Sequence, residues 1–77
     1  MRSELRMPQL GMMMLEGTVS RWLVEDGASV EEGQDVLEIE SDKVVQTIPA
    51  PAAGILRHTA ADGETVPVLK VLGYVES

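Results

Sequence analysis

The sequence predicts an all-β domain, a flattened barrel or sandwich in which two similar halves pack their aliphatic faces together. Three observations predict it. Pro8, Gly11, Gly17, Gly27, Gly33, Pro49, Pro51, Gly54, Gly63, Pro67 and Gly73 divide the chain into pieces too short for an ordinary helix. The intervening pieces are rich in β-branched and aliphatic residues, as strands are. A weak internal repeat is also visible: Gly17-Thr18-Val19 followed by Gly27-Ala28-Ser29-Val30 returns as Gly54-Ile55-Leu56 followed by Gly63-Glu64-Thr65-Val66. Neither copy alone could hide its apolar side, so the two are expected to pack on each other.

Taken in order, the strand segments are residues 18–24, 35–40, 44–48 and 66–75, and six to eight strands fit the chain. Leu37 and Ile39 alternate with Glu38 and Glu40, the period-two pattern of a strand with one face in water. Asp26-Gly27 and Asp62-Gly63 read as turns. The segment 49–54 reads as a rigid connection inside the repeat. Ser41-Asp42-Lys43 interrupts the aliphatic pattern between two strands and reads as a hairpin turn; without a glycine, type I geometry is favoured over I′.

Composition narrows the function. Seventy-seven residues accommodate one domain with a thin core. Without cysteine, the chain offers no disulfide, no thiol nucleophile and no thiolate ligand. Trp22 and Tyr74, its only aromatic residues, make no stacking platform for bases, and a formal charge of -7 opposes nucleic acid and anionic membrane alike. A basic protein partner suits it better. No apolar run approaches a membrane span and no signal-peptide pattern follows Met1, so a bacterial-type cytoplasmic location is expected, or a mitochondrial matrix for an excised organellar fragment. No phosphate loop, nucleophile elbow or acid-base pair is present, and His58 has no partner at metal-ligand spacing and reads as a surface residue. Trp22 reads as a core anchor.

Three segments together carry a resemblance. Residues 7–17, Met-Pro-Gln-Leu-Gly-Met-Met-Met-Leu-Glu-Gly, open the pattern; Glu40-Ser41-Asp42-Lys43, preceded by residues 27–33, is its centre; and residues 48–54, Ile-Pro-Ala-Pro-Ala-Ala-Gly, follow. In this combination the chain resembles the lipoyl domains of dihydrolipoamide acyltransferase components of 2-oxo acid or acetoin dehydrogenase complexes, over nearly its whole length after Arg6. Residues 1–6 are accordingly set apart as an N-terminal extension and 7–77 as the domain.

The resemblance implies two four-stranded antiparallel sheets related by a pseudo-two-fold, with lipoate in amide linkage on Lys43 at an exposed turn. It implies a carrier without catalysis of its own. Its partners would be a lipoate-attaching ligase or transferase, a thiamine-diphosphate-dependent decarboxylase, the acyltransferase core and dihydrolipoamide dehydrogenase, with the isolated domain monomeric. Glu40, Ser41, Asp42 and Val44 would help the ligase and partners recognise the turn. Met12, Met13 and Met14 have two readings: core filler, the default for a flexible thioether, or an apolar contact beside Lys43 for the decarboxylase, as in the family. Lys70, the other lysine, reads as an outward strand residue that a ligase would not engage.

Amide formation on a lysine removes a cation, taking the formal charge from -7 to -8. The absence of cysteine leaves any exchanged disulfide to the prosthetic group. The sequence departs from the family pattern at Ala28, where Asp is common, at Leu69, where glycine is common, and at Val44-Val45, where alanine usually follows the lysine. The alternatives are a biotin carrier domain, which would bracket its lysine with methionines where Asp42 and Val44 stand, and an unmodified β-barrel interaction module.

Overall fold

A computed structural model of the chain describes residues 1–41 and 44–77. The described residues form eight strands: β1 (Arg2–Arg6), β2 (Glu16–Trp22), β3 (Ser29–Val30), β4 (Asp35–Ser41), β5 (Val44–Pro49), β6 (Gly54–His58), β7 (Thr65–Pro67) and β8 (Val71–Glu76). All pairings are antiparallel, in two sheets of order β1-β8-β6-β3 and β5-β4-β2-β7. The sheets share no strand, so the molecule is a flattened sandwich rather than a closed barrel.

Advancing every strand of the first sheet by four around the eight-strand cycle yields the second sheet's order, which is the pseudo-two-fold in topological form. Register agrees: Gly17 faces Val66 and Gly54 faces Val30, so each repeat lends its short strand to the other's long one. Each sheet takes two strands from each half, which explains why neither half can close a sheet alone.

The apolar residues of the pattern meet between the sheets. Val19, Leu37 and Ile39 from one sheet and Leu56, Leu72 and Val75 from the other are fully buried, and no polar or charged side chain is buried among the described residues. Burial of this aliphatic set is the main stabilising term. In β4 the expected alternation holds from Leu37 onward, but Val36 is buried too, because the β4–β5 register slips between Asp35 and Leu37 and the extra residue turns inward. At Gly54, opposite Val30, an added Cβ would collide with the Glu76 carbonyl oxygen, so the close approach of β6 to β8 requires glycine there.

Several expectations change. The six residues set apart as an extension include a whole strand: β1 pairs with β8 from Arg2↔Glu76 to Arg6↔Val71, and Leu5 is 3% exposed in the core. The stretch 66–75 is two strands, because the chain turns at Val68-Leu69 with Leu69 at φ 73°. Lys70 therefore stands exposed beside a turn, not outward on a strand. Met7 clamps this turn through its backbone: its N–H donates to the Lys70 carbonyl (3.0 Å) and its carbonyl accepts from Leu69 N–H (2.8 Å).

His58, read as a surface residue, is half-buried. Its ring stacks on Trp22 with centroids 3.8 Å apart and planes 11° from parallel. Its Nε2 lies 2.9 Å from the Val24 carbonyl oxygen, which can only accept, so Nε2 carries the proton. Trp22 packs against the core as expected, and its Nε1–H donates to the Ala60 carbonyl (2.9 Å).

Candidate carrier hairpin

The β4–β5 hairpin carries the residues on which the functional reading depends. The ladder continues through Glu40↔Val45 to Ser41↔Val44, so Asp42 and Lys43 alone connect the two strands. Asp42, Lys43 and the geometry of their turn lie outside the described residues. β5 is an edge strand, while β4 is held on its other side by β2, where Thr18 faces Glu40. The hairpin is thus fastened to the sheet through β4 and open along β5.

Residues 10–14 reach the same end of the molecule. They form a turn closed by Met14 N–H donating to the Gly11 carbonyl (3.1 Å), while Gln9 Nε2 donates to the Met12 and Met14 carbonyls at 3.4 Å each. The three methionines separate by role. Met14 packs against the core, and its sulfur accepts the Leu10 N–H at 3.1 Å. Met12 and Met13 are 95% and 90% exposed, so the core-filling default holds for Met14 and fails for the other two. The reason is local: the backbone bonds that close the turn leave its tip with no core to face.

Together with Ser41 and Val44, residues 10–14 line an apolar cleft of about 640 Å³. A second recess, of about 420 Å³, lies across Ser41 and is lined by Glu16, Glu40, Thr18 and Thr65. The hairpin end therefore has an apolar flank and an acidic one. The structure brings Met12, Met13, Met14, Ser41 and Val44 together around one cleft and places exposed Glu40 on the other flank. Sequence reasoning missed Leu10, which lines the cleft, and Glu16, which lines the acidic recess and whose carbonyl lies 3.5 Å from Ser41 Oγ. It also missed Leu15, which is 81% exposed. Leu15 could have been found from its contiguity with the methionine run; Leu10 and Glu16 required the fold.

Known proteins share this architecture. The biotin/lipoyl family described as "Biotin-requiring enzyme" matches residues 3–75. The dihydrolipoyllysine-residue acetyltransferase component of the acetoin cleaving system of Cupriavidus necator is 43% identical over 70 residues, covering 90% of this chain and 19% of that protein. The corresponding succinyltransferase component of the 2-oxoglutarate dehydrogenase complex of Bartonella vinsonii is 38% identical, covering 100% of this chain and 19% of the relative. The acetyltransferase component of the pyruvate dehydrogenase complex of Mycobacterium bovis is 48% identical over 63 residues, covering 80% and 11%. The chain thus spans about a fifth or less of the length of these relatives. The solution structure of the lipoyl domain of the Azotobacter vinelandii 2-oxoglutarate dehydrogenase complex superposes with a TM-score of 0.81 at 28% identity, over 96% of this chain and 95% of that one. With its sandwich, its interleaved halves and this match over nearly its full length, the chain belongs to the biotin/lipoyl-attachment family, and within it to the lipoyl domains.

Proposed function

We propose that the domain carries lipoate in amide linkage on Lys43 and presents it in turn to a decarboxylase, an acyltransferase core and dihydrolipoamide dehydrogenase, as one part of an acyltransferase component. The observation that carries this reading is the β4–β5 ladder, which pairs residue by residue from Leu37↔Ile48 to Ser41↔Val44 and leaves a two-residue connection containing one of only two lysines in the chain. The relatives supply the chemistry: all three are named for a dihydrolipoyllysine residue, which favours lipoate over biotin.

When attached, the dithiolane supplies a disulfide that is reduced as it takes up an acyl group. The chain's own part is mechanical and electrostatic. β4, held on its far side by β2, gives the attachment point a fixed base, so that reach is decided by the arm and not by a flexible platform. Tethering sets a high local concentration of the carried group at each active site, and no docking contact needs to be tight. Glu16 and Glu40 give one flank an acidic surface to which basic residues of the ligase or of a partner are attracted. Met12, Met13 and Val44 give the other flank an apolar surface, with Asp42 and Ser41 contributing to recognition of the turn.

Incubation with a lipoate ligase, lipoate and ATP, followed by intact-mass and peptide mapping, tests the reading. One lipoyl adduct on Lys43 is expected, lost in Lys43→Arg and retained in Lys70→Arg. The second substitution matters because Lys70 is exposed beside a turn. An adduct on Lys70, or none, overturns the assignment. Reductive acylation of the loaded domain by decarboxylases for acetoin, pyruvate and 2-oxoglutarate then identifies the complex it serves.

A further inference from the structure

The apolar cleft has a property that recognition by a partner does not require. It is built partly from the attachment hairpin itself: Ser41 and Val44 line it, and Val44 follows Lys43 directly in the chain. Its volume of about 640 Å³ falls within the roughly 300–1,000 Å³ in which small molecules are usually held. The described residues that line it carry no charge, and two of them are thioethers exposed almost completely to water. Thioether sulfurs are polarizable and their side chains adapt to irregular shapes, which suits a sulfur-containing apolar ring better than a charged or strongly polar ligand.

From this juxtaposition we infer that the cleft formed by residues 10–14, Ser41 and Val44 is an intramolecular resting site for the dithiolane end of an arm attached to Lys43. The inference rests on the carrier reading above and deepens it. Chain connectivity fixes the occupant: a group tethered one residue from a lining side chain meets the cleft at an effective concentration in the millimolar range, far above that of any untethered apolar ligand. A contact of only millimolar intrinsic affinity then holds the arm about half of the time. Docking at that level shelters the disulfide between visits to partner enzymes yet leaves it available to each of them. The same docking would cover Met12 and Met13, the most exposed apolar side chains of the described residues apart from Met1.

The test compares the chain before and after lipoylation, labelled with 13C at the methionine methyl groups. On lipoylation the Met12 and Met13 methyl resonances are expected to shift and to show NOEs to dithiolane protons. Met7, fully buried, serves as the unmoved reference. The shifts are expected to persist on dilution. In the lipoylated double variant Met12→Ser/Met13→Ser, the dithiolane protons are expected to move to their positions in free lipoamide. Absence of an adduct by mass spectrometry defeats the carrier reading. An adduct with Met12 and Met13 unmoved defeats the resting site alone, as do shifts that disappear on dilution, since a second molecule would then be holding the arm.

Discussion

Substitution at Leu69 tests the strain that the fold accepts at the β7–β8 turn. Leu69 has φ 73°, in the left-handed region, and is 63% exposed. Its conformation is held by two tertiary hydrogen bonds, Leu69 N–H to the Met7 carbonyl and Met7 N–H to the Lys70 carbonyl, and by the local turn bond from Lys70 N–H to the Pro67 carbonyl. A residue with a Cβ held there costs about 1–2 kcal/mol. Glycine escapes that cost but loses about 0.4–1 kcal/mol through the greater freedom of its unfolded chain. Because Leu69→Gly and Leu69→Ala both delete the side chain, its partial burial cancels between them. Glycine is therefore expected to be the more stable by about 0.5–1 kcal/mol, the reverse of the order at an ordinary negative-φ site. For a domain of this size that corresponds to about 2–8 °C in Tm. Urea unfolding of the pair should show a higher midpoint for glycine at unchanged slope. Equal midpoints, or alanine above glycine, would refute the argument. Against the wild type, Leu69→Gly is expected near zero, because relief of strain is offset by the loss of roughly a third of a leucine's burial.

Gly54→Ala is expected to destabilise by at least about 2 kcal/mol, read by thermal melting, because its Cβ meets the Glu76 carbonyl where β6 and β8 approach. Trp22→Phe keeps an aromatic ring against His58 but removes the donor to the Ala60 carbonyl, for an expected loss of about 1–2 kcal/mol in urea unfolding. Met12→Ser/Met13→Ser should leave stability within about 0.5 kcal/mol, since both side chains are exposed. The same variant should lower kcat/KM for reductive acylation by about tenfold if the apolar flank contacts the decarboxylase. Unchanged acylation would remove Met12 and Met13 from recognition.

What could be read from the sequence was whatever is local along the chain. The hairpin strands announce themselves because Leu37, Ile39, Val44 and Val45 flank the polar residues 40–43, and the repeat because glycine recurs before the same short strands. β1 escaped because an edge strand with one face in water needs few apolar residues, and Arg2-Ser3-Glu4-Leu5-Arg6 has one, Leu5, which enters the core. The turn at Leu69 escaped for a different reason. No residue of Val68-Leu69-Lys70 favours a turn, and the positive φ is set by the backbone of Met7, some sixty positions earlier. The cleft is likewise a long-range product, since Met12 and Val44 are neighbours only through the packing of one sheet end. Sequence analysis could name Met12, Met13, Ser41 and Val44 one by one, but it could not show that they line the same cavity.

The pseudo-two-fold leads to one further expectation, which concerns where this fold has freedom. Under the four-strand advance, the β4–β5 ladder is the counterpart of the β8–β1 ladder. The first closes at Ser41↔Val44; the second closes at Met1 and Ser77, whose backbones exchange hydrogen bonds of 3.0 and 2.9 Å. In the first the ladder ends are joined by two residues, and in the second they are the first and last residues of the 77-residue sequence. A two-residue Asn-Gly link from Ser77 to Met1 would make a hairpin of the most favoured length, so a permuted chain opened between Asp42 and Lys43 should fold with stability within about 1 kcal/mol of the original, because it exchanges one loop closure for another of equal length. Calorimetry on the permutant checks this, and a loss of several kcal/mol would mean that the Asp42-Lys43 connection itself organises the sandwich. If stability is retained, the ladder holds the two strands together whether or not they are joined. The residues between them are then under no structural obligation, which leaves that position free to be occupied by a lysine chosen for its chemistry.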